Sequence, residues 1–447
     1  MKAFVVLLCL CSAAFSLRAQ DSYDVALKVL SQEHVAVPSD VPALTVDEAE
    51  RIALQVNPEI RVASRKVAVA EAQIPAAGAL DDPSFMLRAW QVPLRQPWNY
   101  NDAQNMFMVG QSFPGPGKRA LRSQIASDET SVARDELAAV KLKIAAQVRR
   151  AFYDLLRNAD EMKVHDEQEA IARQAFEAAR IKYSVGKAPQ QDMLKGQVAL
   201  TKLIEHLVML EQDAELSRSE LNSLLGRSPD TPLRVAGQYS PPKRLPSLPE
   251  MEHIALASRP ELIAAQARIR QADDRSKLAG KAYVPDFSVS AGYMLMPAGS
   301  AMRNNYMLEG SVSLPWLNRR KHEGEIAASR AMLSEEQAEF DAARLDVFRE
   351  IQNALARATA EKKLVDLYQN LLRPQTEATL HATVIAYEND RTDILNLLDS
   401  QNATLDVDYS YFRALAQLEE EMSDLELAVG APVPRDTAQQ AQPEAQR

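Results

Sequence analysis

Cysteine is nearly absent from this 447-residue chain, and its two cysteines, Cys9 and Cys11, lie close to the N-terminus. Beyond them no disulfide, zinc-thiolate site or thiol nucleophile can form. Glycine is scarce at 14 residues, which excludes collagen-like and glycine-rich linker architectures. Aromatic residues make up only 6%, as is normal for long helices rich in Ala, Leu, Glu and Arg.

Positive charge and long apolar runs are also in short supply. The 51 Lys and Arg residues against 61 Asp and Glu give a net charge of −10. This balance argues against a nucleic-acid-coating protein, because neutralising phosphates needs a basic surface. No run of 18 apolar residues follows the N-terminus, so no helical membrane span is predicted. With 46% hydrophobic and 25% charged residues, the chain is expected to fold rather than stay disordered.

The first 19 residues have the pattern of a secretory signal peptide. Met1-Lys2 precedes an apolar stretch from Ala3 to Ala14, and Ala19 offers a small residue for cleavage. A lipid anchor on one of the two cysteines is the alternative, but the apolar stretch before them is short. We predict an exported chain that begins near residue 20 and contains no cysteine.

The rest of the chain contains two similar sequence repeats. The copies match at offsets of 201 to 204 residues: Ile52-Ala53-Leu54 with Ile254-Ala255-Leu256, Pro58-Glu59 with Pro260-Glu261, Ser112-Phe113-Pro114 with Ser313-Leu314-Pro315, and Tyr183 with Tyr387. Such self-similarity is typical of a duplicated architecture. We predict a first repeat over residues 20–245, a second over 246–431 and a disordered Gln/Ala/Pro-rich tail over 432–447.

Each repeat is predicted to begin with a helix. Thr45-x-x-Glu48 and Ser247-x-x-Glu250 both have the pattern of a capping box, and the helices are expected to run to about Pro75 and Lys281. Alternating residues then predict β-hairpins over 84–113 and 286–315. Long helices follow over 118–226 and 318–430, with a kink or break expected at Pro374.

The strands are predicted to have one apolar face and one small or polar face. Strands of about ten residues can cross a bilayer when tilted in a barrel. Trp90, Trp98 and Trp316 lie in or beside the strands, as interfacial aromatic residues do. The facing that we predict places Phe287, Val289, Tyr293 and Leu308 towards lipid, and Ser290, Glu309 and Ser313 towards the lumen.

Four strands cannot close a barrel alone. Because open strand edges are not tolerated in lipid, the four strands of one chain must pair with those of identical chains. Three chains would supply a 12-stranded β-barrel, and the long helices would form a tube below it. A soluble sheet with buried aromatic residues is the alternative, and the export signal argues against it.

Motifs for other chemistry are weak. Gly115-Pro116-Gly117-Lys118 resembles a phosphate-binding loop, but Arg119 stands where Ser or Thr is needed. The six histidines form no metal-binding pair, and no general acid–base pair is evident. Methionines around the strands would fit soft-metal handling, but the filling of irregular gaps is the preferred interpretation. We predict no enzyme activity and no cofactor.

Taken together, the motifs resemble the outer-membrane efflux duct family typified by TolC. The residues that carry the resemblance are Ala53 to Glu59 and Ala255 to Glu261, Pro83 and Pro285, Gln111 to Pro114 with Gly117 to Arg119, Tyr183-x-x-Gly186, and Leu398 to Gln401. The Ser-x-Pro…Gly-Lys-Arg passage is most similar to the heavy-metal efflux branch. The resemblance implies a mainly α fold with a small β part, in which a homotrimer combines the β-barrel with a long periplasmic α-barrel.

The resemblance also implies a function. It predicts an exit duct in the outer membrane of a Gram-negative bacterium, extending into the periplasm. Its partners would be two further copies of the chain, a periplasmic membrane-fusion adaptor, an inner-membrane pump of the RND type and outer-membrane lipid, with no nucleic acid. The alternative is a periplasmic coiled-coil adaptor or scaffold, which would share the helices and the export signal but lack paired hairpins and the duplication.

By resemblance, the two helix reversals form the periplasmic entrance and the adaptor contact. The residues assigned to it are Tyr183, Gly186, Asp192, Tyr387, Asp390, Arg391, Thr392 and Asp399. Gly186 matches the tip glycine of the family, whereas Asp390 stands where the second repeat usually has glycine. Thr392 replaces the usual entrance arginine, with Arg391 one place earlier.

Three of these residues have a particular expected role. Asp192 and Tyr387 match positions that tie neighbouring helices shut, and Asp399 matches an acidic position directed inwards. Three copies of Asp399 would form a ring that attracts cations. The alternative is that Asp192, Asp393 and Asp399 are merely solvated residues near helix ends.

Overall fold

A computed structural model describes residues 41–92, 94–95, 97 and 101–435. The predicted signal peptide with Cys9 and Cys11, Trp98, and residues 436–447 of the predicted tail lie outside the described residues. The described chain is mostly helical and carries one four-stranded sheet. Within it, no helix combines the length and the apolar character needed to cross a membrane.

The two repeats share two short helices, a β-hairpin and long helices in the same order, while β1 and β4 of the described chain lie in the first repeat and the π-helical segment in the second. In the first repeat the elements are β1 (Ala43–Leu44), α1 (Val46–Val56), α2 (Pro58–Gly78), β2 (Ser84–Trp90), β3 (Gln104–Phe113), α3 (Lys118–Ser184), α4 (Gln190–Leu224) and β4 (Arg234–Val235). In the second they are α5 (Leu248–Ser258), α6 (Pro260–Gly280), β5 (Phe287–Leu295), β6 (Asn304–Val312), α7 (Arg319–Leu367), a π-helical segment (Tyr368–Leu372), α8 (Arg373–Glu388) and α9 (Ile394–Val429). The duplication read from the sequence is therefore present in the fold.

Both predicted hairpins form, and they share one antiparallel sheet. The strand order is β2-β3-β5-β6, so the hairpins join through β3 and β5, and β2 and β6 are the edges. The short strands β1 and β4 form a separate parallel pair. Each edge strand has one unpaired side within the described chain, which leaves the sheet open.

The register divides the sheet into two faces. The apolar face, as we call it, has polar residues (Asn105, Gln111 and Asn304) near the strand ends, and its large apolar residues are Phe85, Leu87, Phe107, Val109, Phe287, Val289, Tyr293, Tyr306, Leu308 and Val312. Ser290 and Glu309 lie opposite each other on the other face, as the predicted alternation requires. Along β5 the apolar-face residues are mostly the more exposed ones.

The helix starts agree only partly with the sequence prediction. The Thr45 capping box forms, since its hydroxyl accepts from the Glu48 N–H and the Glu48 carboxylate accepts from the Thr45 N–H. The predicted box at Ser247 is wrong, because Ser247 makes no side-chain capping bond although it is the N-cap residue. Leu248 and Pro249 begin α5, and the fixed φ of proline suits a first helical turn without that bond.

The first predicted helix of each repeat is in fact two helices. Proline disfavours a helical conformation in the residue before it, and both Asn57 and Arg259 are extended there, with ψ of 130° and 114°. The break at Pro58 and the break at Pro260 were missed by the prediction of continuous helices. Pro75, the expected end, lies inside α2, which continues to Gly78.

The long helices give the molecule its length. Helix α3 has 67 residues, which at 1.5 Å per residue is about 100 Å. The corresponding stretch of the second repeat is interrupted by the π-helical segment, which ends directly before Arg373-Pro374. Proline lacks the N–H for a helical bond, so the irregularity expected at Pro374 is confirmed.

The hydrophobic core consists of one large cluster per repeat. The first contains Ile144, Phe152 and Leu221, and the second contains Ile351 and Leu418. Helix α9 connects the repeats by packing along both α3 and α7. The core therefore lies around the middle of the long helices, between the sheet and the helix reversals.

The first residues of the predicted tail, 432–435, pack against the helices. Val433 is buried in the second cluster, and Arg435 pairs with the fully buried Glu419 at 2.5 Å. Glu419 also accepts from the N–H of Ser240 at 2.6 Å, in the link between the repeats. Packing and a buried ion pair thus hold the chain as far as Arg435, which corrects the predicted boundary.

Candidate functional site: the two helix reversals

The candidate site consists of the turns between α3 and α4 and between α8 and α9. In the chain they are farthest from the strands. Both turns contain a residue in the left-handed conformation, Gly186 with φ +73° and Asp390 with φ +57°. These positions correspond at the offset of 204 residues that also relates Tyr183 to Tyr387.

The two turns have the same backbone hydrogen bonds. Lys187 N–H donates to the Lys182 carbonyl at 2.8 Å, and Arg391 N–H donates to the Ala386 carbonyl at 2.8 Å. A second bond, which spans three residues instead of five, closes each turn: Gly186 N–H donates to the Tyr183 carbonyl at 3.0 Å, and Asp390 N–H donates to the Tyr387 carbonyl at 3.3 Å. This paired pattern is the Schellman motif, which ends a helix through a left-handed residue. Asp390 therefore takes the backbone role of the glycine that the family resemblance predicts there.

The Asp390 side chain connects the two turns. Its carboxylate lies 2.6 Å from the Lys182 ammonium and 3.9 Å from that of Lys187, both on the other repeat. The hydrogen bond from Lys182 lowers the pKa of Asp390 below its ordinary value, so the ion pair is present at neutral pH. Aspartate is among the few non-glycine residues that tolerate the left-handed region.

Tyr387 lies buried directly beneath this ion pair. The Lys182 ammonium lies 4.0 Å from the centre of the Tyr387 ring, within cation–π range, and donates to the Tyr387 carbonyl at 2.7 Å. Burial, and then the charges of Asp192 and Asp390, raise the pKa of the phenol. The phenol is therefore neutral and able to donate a hydrogen bond at physiological pH.

Three residues thus contact one another, and the charge of a fourth, Asp192, acts on the Tyr387 phenol; we call these residues the tip cluster: Lys182, Asp192, Tyr387 and Asp390. Sequence analysis had assigned the last three and missed Lys182. Its signal was its position in the last turn of α3, where the helix dipole favours a positive charge. The second repeat has Ala386 at the corresponding place, so the duplication itself gave no indication.

The other predicted site residues lie outside the tip cluster. Tyr183 and Arg391 are exposed, and Thr392 accepts a hydrogen bond from the Asn396 amide at 3.1 Å within its own turn. Asp399 is exposed on the second turn of α9. Asp393, which had been named as a solvated alternative, caps α9 by accepting from the Asn396 N–H at 3.0 Å.

A small hydrophobic cluster supports the two turns. Its members are Ala175, Ala179, Leu380, Tyr387, Ile394, Leu397 and Leu398. Close by, Gly196 lets α4 approach α3, because a Cβ at that position would lie 3.3 Å from the Phe176 Cα. Among the residues that the structure describes, no group of three His, Cys, Asp or Glu side chains gathers to hold a metal ion.

Comparison with known proteins identifies the class of protein that this arrangement belongs to. The outer membrane efflux protein family matches the chain twice, at residues 51–227 and at residues 253–431. The two matches together cover most of the sequence. The chain belongs to the outer membrane efflux protein family.

Individual relatives are distant in sequence. The cobalt-zinc-cadmium resistance protein CzcC of Cupriavidus metallidurans is 22% identical over 390 residues, which are 87% of this chain and 90% of CzcC. VceC of Vibrio cholerae has the same fold at 17% identity, with a TM-score of 0.70 over 86% of this chain and 96% of VceC. The open-state channel MtrE of Neisseria gonorrhoeae is also similar, at 17% identity and a TM-score of 0.70 over 88% and 90% of the two chains.

The family assignment decides between the two functions that the sequence left open. The protein is an outer-membrane efflux channel of a Gram-negative bacterium and extends into the periplasm. The alternative function, that of a periplasmic adaptor or scaffold, does not agree with this assignment. Members of the family are channels rather than enzymes.

Proposed function

We propose that three copies of this chain form the exit duct of a tripartite efflux system. Cargo would pass from an RND-type inner-membrane pump and a periplasmic adaptor through the duct to the outside. The observation that carries this proposal is the spatial separation of two features. The sheet with its apolar face lies at one end of α3, which is about 100 Å long. The two helix reversals, connected by the ion pair between Lys182 and Asp390, lie at the other end.

The sheet supports a trimer. Its edges, β2 and β6, have hydrogen-bonding groups that lack a partner strand within the described chain. In lipid such edges are not tolerated, so the apolar face can meet lipid only if the sheet closes with other copies. Three copies supply 12 strands, with the polar face directed into the lumen.

Exposed apolar residues on the helices support the same assembly. Helix α4 packs along α3 and leaves a row of side chains uncovered: Leu194, Val198, Val208, Met209 and Leu216. On the other repeat, Leu345, Leu364, Leu367 and Leu371 are exposed along α7 and the π-helical segment. Contact between these two rows on neighbouring copies would bury both.

The turns would form the periplasmic entrance. We assign the adaptor contact to Tyr183, Gly186 and Arg391, which are exposed, and closure of the entrance to the tip cluster. Asp399 is exposed on α9, and in a trimer three copies would form an acidic ring that attracts cations and repels anions. Thr392 lies between these groups and holds the start of α9 through Asn396.

The cargo that we propose is a heavy-metal cation. Two observations favour it over other cargo: the resemblance of the Gly117-Lys118-Arg119 passage to the heavy-metal branch, and the likeness to CzcC, a protein named for cobalt, zinc and cadmium resistance. A cation-attracting entrance ring is consistent with this choice.

Assembly is tested by native mass measurement of detergent-extracted protein. We expect a stable trimer, and Leu216→Glu should weaken it because a charge would replace an apolar contact at a subunit interface. Leu216→Met, which keeps the residue apolar, is the matched control. A stable monomer that still inserts into membranes would overturn the proposal.

The entrance is tested by the conductance of the reconstituted channel. Asp399→Ala should lower the preference for cations and the block by multivalent cations. Tyr387→Phe combined with Asp192→Ala should raise the open probability, because both residues belong to the tip cluster. Asp230→Ala, an exposed aspartate between α4 and β4, is the control. If both entrance variants conduct like the parent, the entrance assignment is wrong while the duct assignment stands.

A further inference from the structure

The methionines of the four strands all lie on one face of the sheet. The register places Met86, Met106, Met108, Met294 and Met307 on the polar face, opposite to the apolar face. Within the described strands the apolar face carries Phe, Leu, Val and Tyr but no methionine. We call this set of five residues the methionine face.

These methionines are neighbours across strands. Met86 lies directly opposite Met108, and Met106 lies directly opposite Met294. Directly opposed residues in an antiparallel pair have Cβ atoms about 4.5–5.5 Å apart. With three rotatable bonds in each side chain, the two sulfurs of a pair can reach one ion.

A glycine leaves room for the fifth methionine. Gly292 lies between Met108 and Met307 in the same row of the sheet. A Cβ at Gly292 would come 2.6 Å from Met108 Cγ and 2.5 Å from the Phe107 carbonyl oxygen. The Met108 side chain therefore leans over Gly292 of β5, in the direction of Met307 on β6.

Polar side chains reach two of the five sulfurs, that of Met294 and that of Met86, which lies 3.6 Å from the Arg88 guanidinium. The Gln104 amide donates to the Met294 sulfur at 2.8 Å, so this thioether is directed at the surface of the face rather than into a hydrophobic core. Met86 is 44% exposed, whereas Met106 and Met108 are buried beneath their neighbours. The face thus offers both reachable and shielded sulfurs.

Packing alone does not account for this choice of residue. The same face carries Ser290, Ser311, Asn305, Glu309 and Arg88, which are polar residues suited to water. Where the sheet needs apolar bulk on its other face, it uses Phe, Leu and Val. Methionine differs from these residues in its polarizable thioether, an uncharged soft ligand that favours soft cations such as Cu(I).

We propose that the methionine face is a transit site for soft monovalent cations of the Cu(I) and Ag(I) class. The inference rests on the proposed function, because it requires the polar face to line the lumen of the trimer. Several weak thioether contacts in a row would let an ion bind and leave again, as conduction requires. Zn(II) and Co(II), which favour nitrogen and oxygen ligands, would pass this face without binding.

The test uses the full chain purified in detergent, with Ag(I) as a redox-stable probe and Zn(II) as the comparison. Bound metal is measured by equilibrium dialysis and elemental mass spectrometry. The variant replaces all five methionines by leucine, which keeps volume and apolar character. The controls are Met332→Leu and Met162→Leu on the helices.

We expect the parent and both controls to bind Ag(I) at least tenfold more tightly than Zn(II), and the five-leucine variant to lose at least tenfold in Ag(I) affinity. If this variant does not fold, the pairs Met86→Leu with Met108→Leu and Met106→Leu with Met294→Leu are each expected to lose part of the binding. Unchanged Ag(I) binding in the folded variants, or a preference of the parent for Zn(II), would overturn the inference.

A conductance measurement separates this inference from the proposed function. Micromolar Ag(I) should reduce the K⁺ current through the parent and not through the five-leucine variant, while the K⁺ current without silver is the same in both. If Ag(I) does not reduce the K⁺ current through the parent, the inference about the methionine face is wrong, while the proposed function as an exit duct is unaffected. If the parent forms no trimer and no channel, the proposed function itself fails.

Discussion

The two helix reversals have the same backbone and different side chains. At Gly186 the left-handed residue has no side chain, and a Cβ added there would meet nothing within 4 Å. At Asp390 the same backbone conformation carries a carboxylate that pairs with Lys182 of the first repeat. The duplication has thus retained the hydrogen-bonded turn, while one of its copies has gained a contact that connects the two repeats.

The long helices differ in a related way. The offset between the repeats grows from 201 residues at Ser112 and Ser313 to 204 at Tyr183 and Tyr387, so the second repeat has extra residues between strand and turn. A π-helical turn takes up one residue more than an α-helical turn, and the segment at Tyr368–Leu372 lies in this interval. The π-helical segment therefore takes up one of the three extra residues.

The largest effect is expected for charges on the sheet. Val289→Arg should cost about 2–4 kcal/mol if the residue meets the middle of the bilayer, and Leu87→Arg at the matching position of the first repeat should cost a similar amount. Ser290→Arg should be tolerated, because the first repeat has Arg88 at the corresponding place on the same face. The measurement is the yield of urea-resistant trimer, and equal losses at residues 289 and 290 would refute the assigned faces.

A smaller effect is expected where the repeats pack together. Glu420 on α9 corresponds to the exposed Leu216 of the first repeat, but its side chain is only 14% exposed, and this partial burial, followed by the charge of Asp154, raises its pKa to about 7. Because the unfolded state ionises near pH 4.5 and the folded state only near pH 7, this residue makes folding less favourable as pH rises between these values.

Glu420→Gln should therefore increase the free energy of unfolding by about 1–2 kcal/mol at pH 8 and leave it nearly unchanged at pH 4. Denaturant unfolding at the two pH values measures the difference. Glu377→Gln, at an exposed position on α8, is the control and should show no such pH dependence. An equal gain at both pH values would show that the carboxyl charge is not the cause.

Substitutions in the turns should have still smaller effects. Gly186→Ala should cost about 1 kcal/mol through the left-handed backbone alone, since no atom obstructs the added Cβ. Gly186→Asn should cost less, because Asn tolerates this conformation. Thermal unfolding of the trimer measures the series. A larger loss for Asn than for Ala would mean that the side chain, and not the backbone, sets the cost.

The smallest effect on stability is expected for Asp390→Asn. Asn keeps the left-handed turn but removes the charge that pairs with Lys182, so we expect a higher open probability with little change in melting temperature. In the parent the ion pair should persist down to the lowered pKa of Asp390 and be lost as pH falls through it. Single-channel recording at pH 7 tests this expectation. An open probability equal to that of the parent would mean that the charge of Asp390 does not help to keep the entrance closed.

Much of the fold followed from local sequence rules. The alternation in residues 287–295 predicted β5, and the serine, glycine and methionine pattern predicted its polar face. The turn at Gly186 followed from the family resemblance, and the structure gives the physical reason for glycine there, a left-handed backbone with φ +73°. The two-helix start of each repeat was missed because a capping box marks only where a helix begins, whereas Pro58 and Pro260 end the first helix by holding the preceding residue in an extended conformation.

The rest depended on contacts that sequence alone does not contain. Lys182 joins the tip cluster only because α8 of the other repeat brings Asp390 within 2.6 Å of it. Val433 and Arg435 looked like the start of a polar tail, yet the partner that holds Arg435 is Glu419, which is buried in α9. Such pairings between distant segments arise from tertiary packing, and local patterns do not record them.

Closure of the sheet across three chains is the central claim, and cysteine cross-linking between its two edges tests it most directly. Arg88→Cys on β2 and Asn305→Cys on β6 lie on the same face, and Cys9 and Cys11 are changed to serine so that no other thiol remains. A short bifunctional maleimide applied to outer membranes should produce covalent dimers and trimers and nothing larger. Products that stop at the monomer, or a ladder that continues past the trimer, would contradict the account.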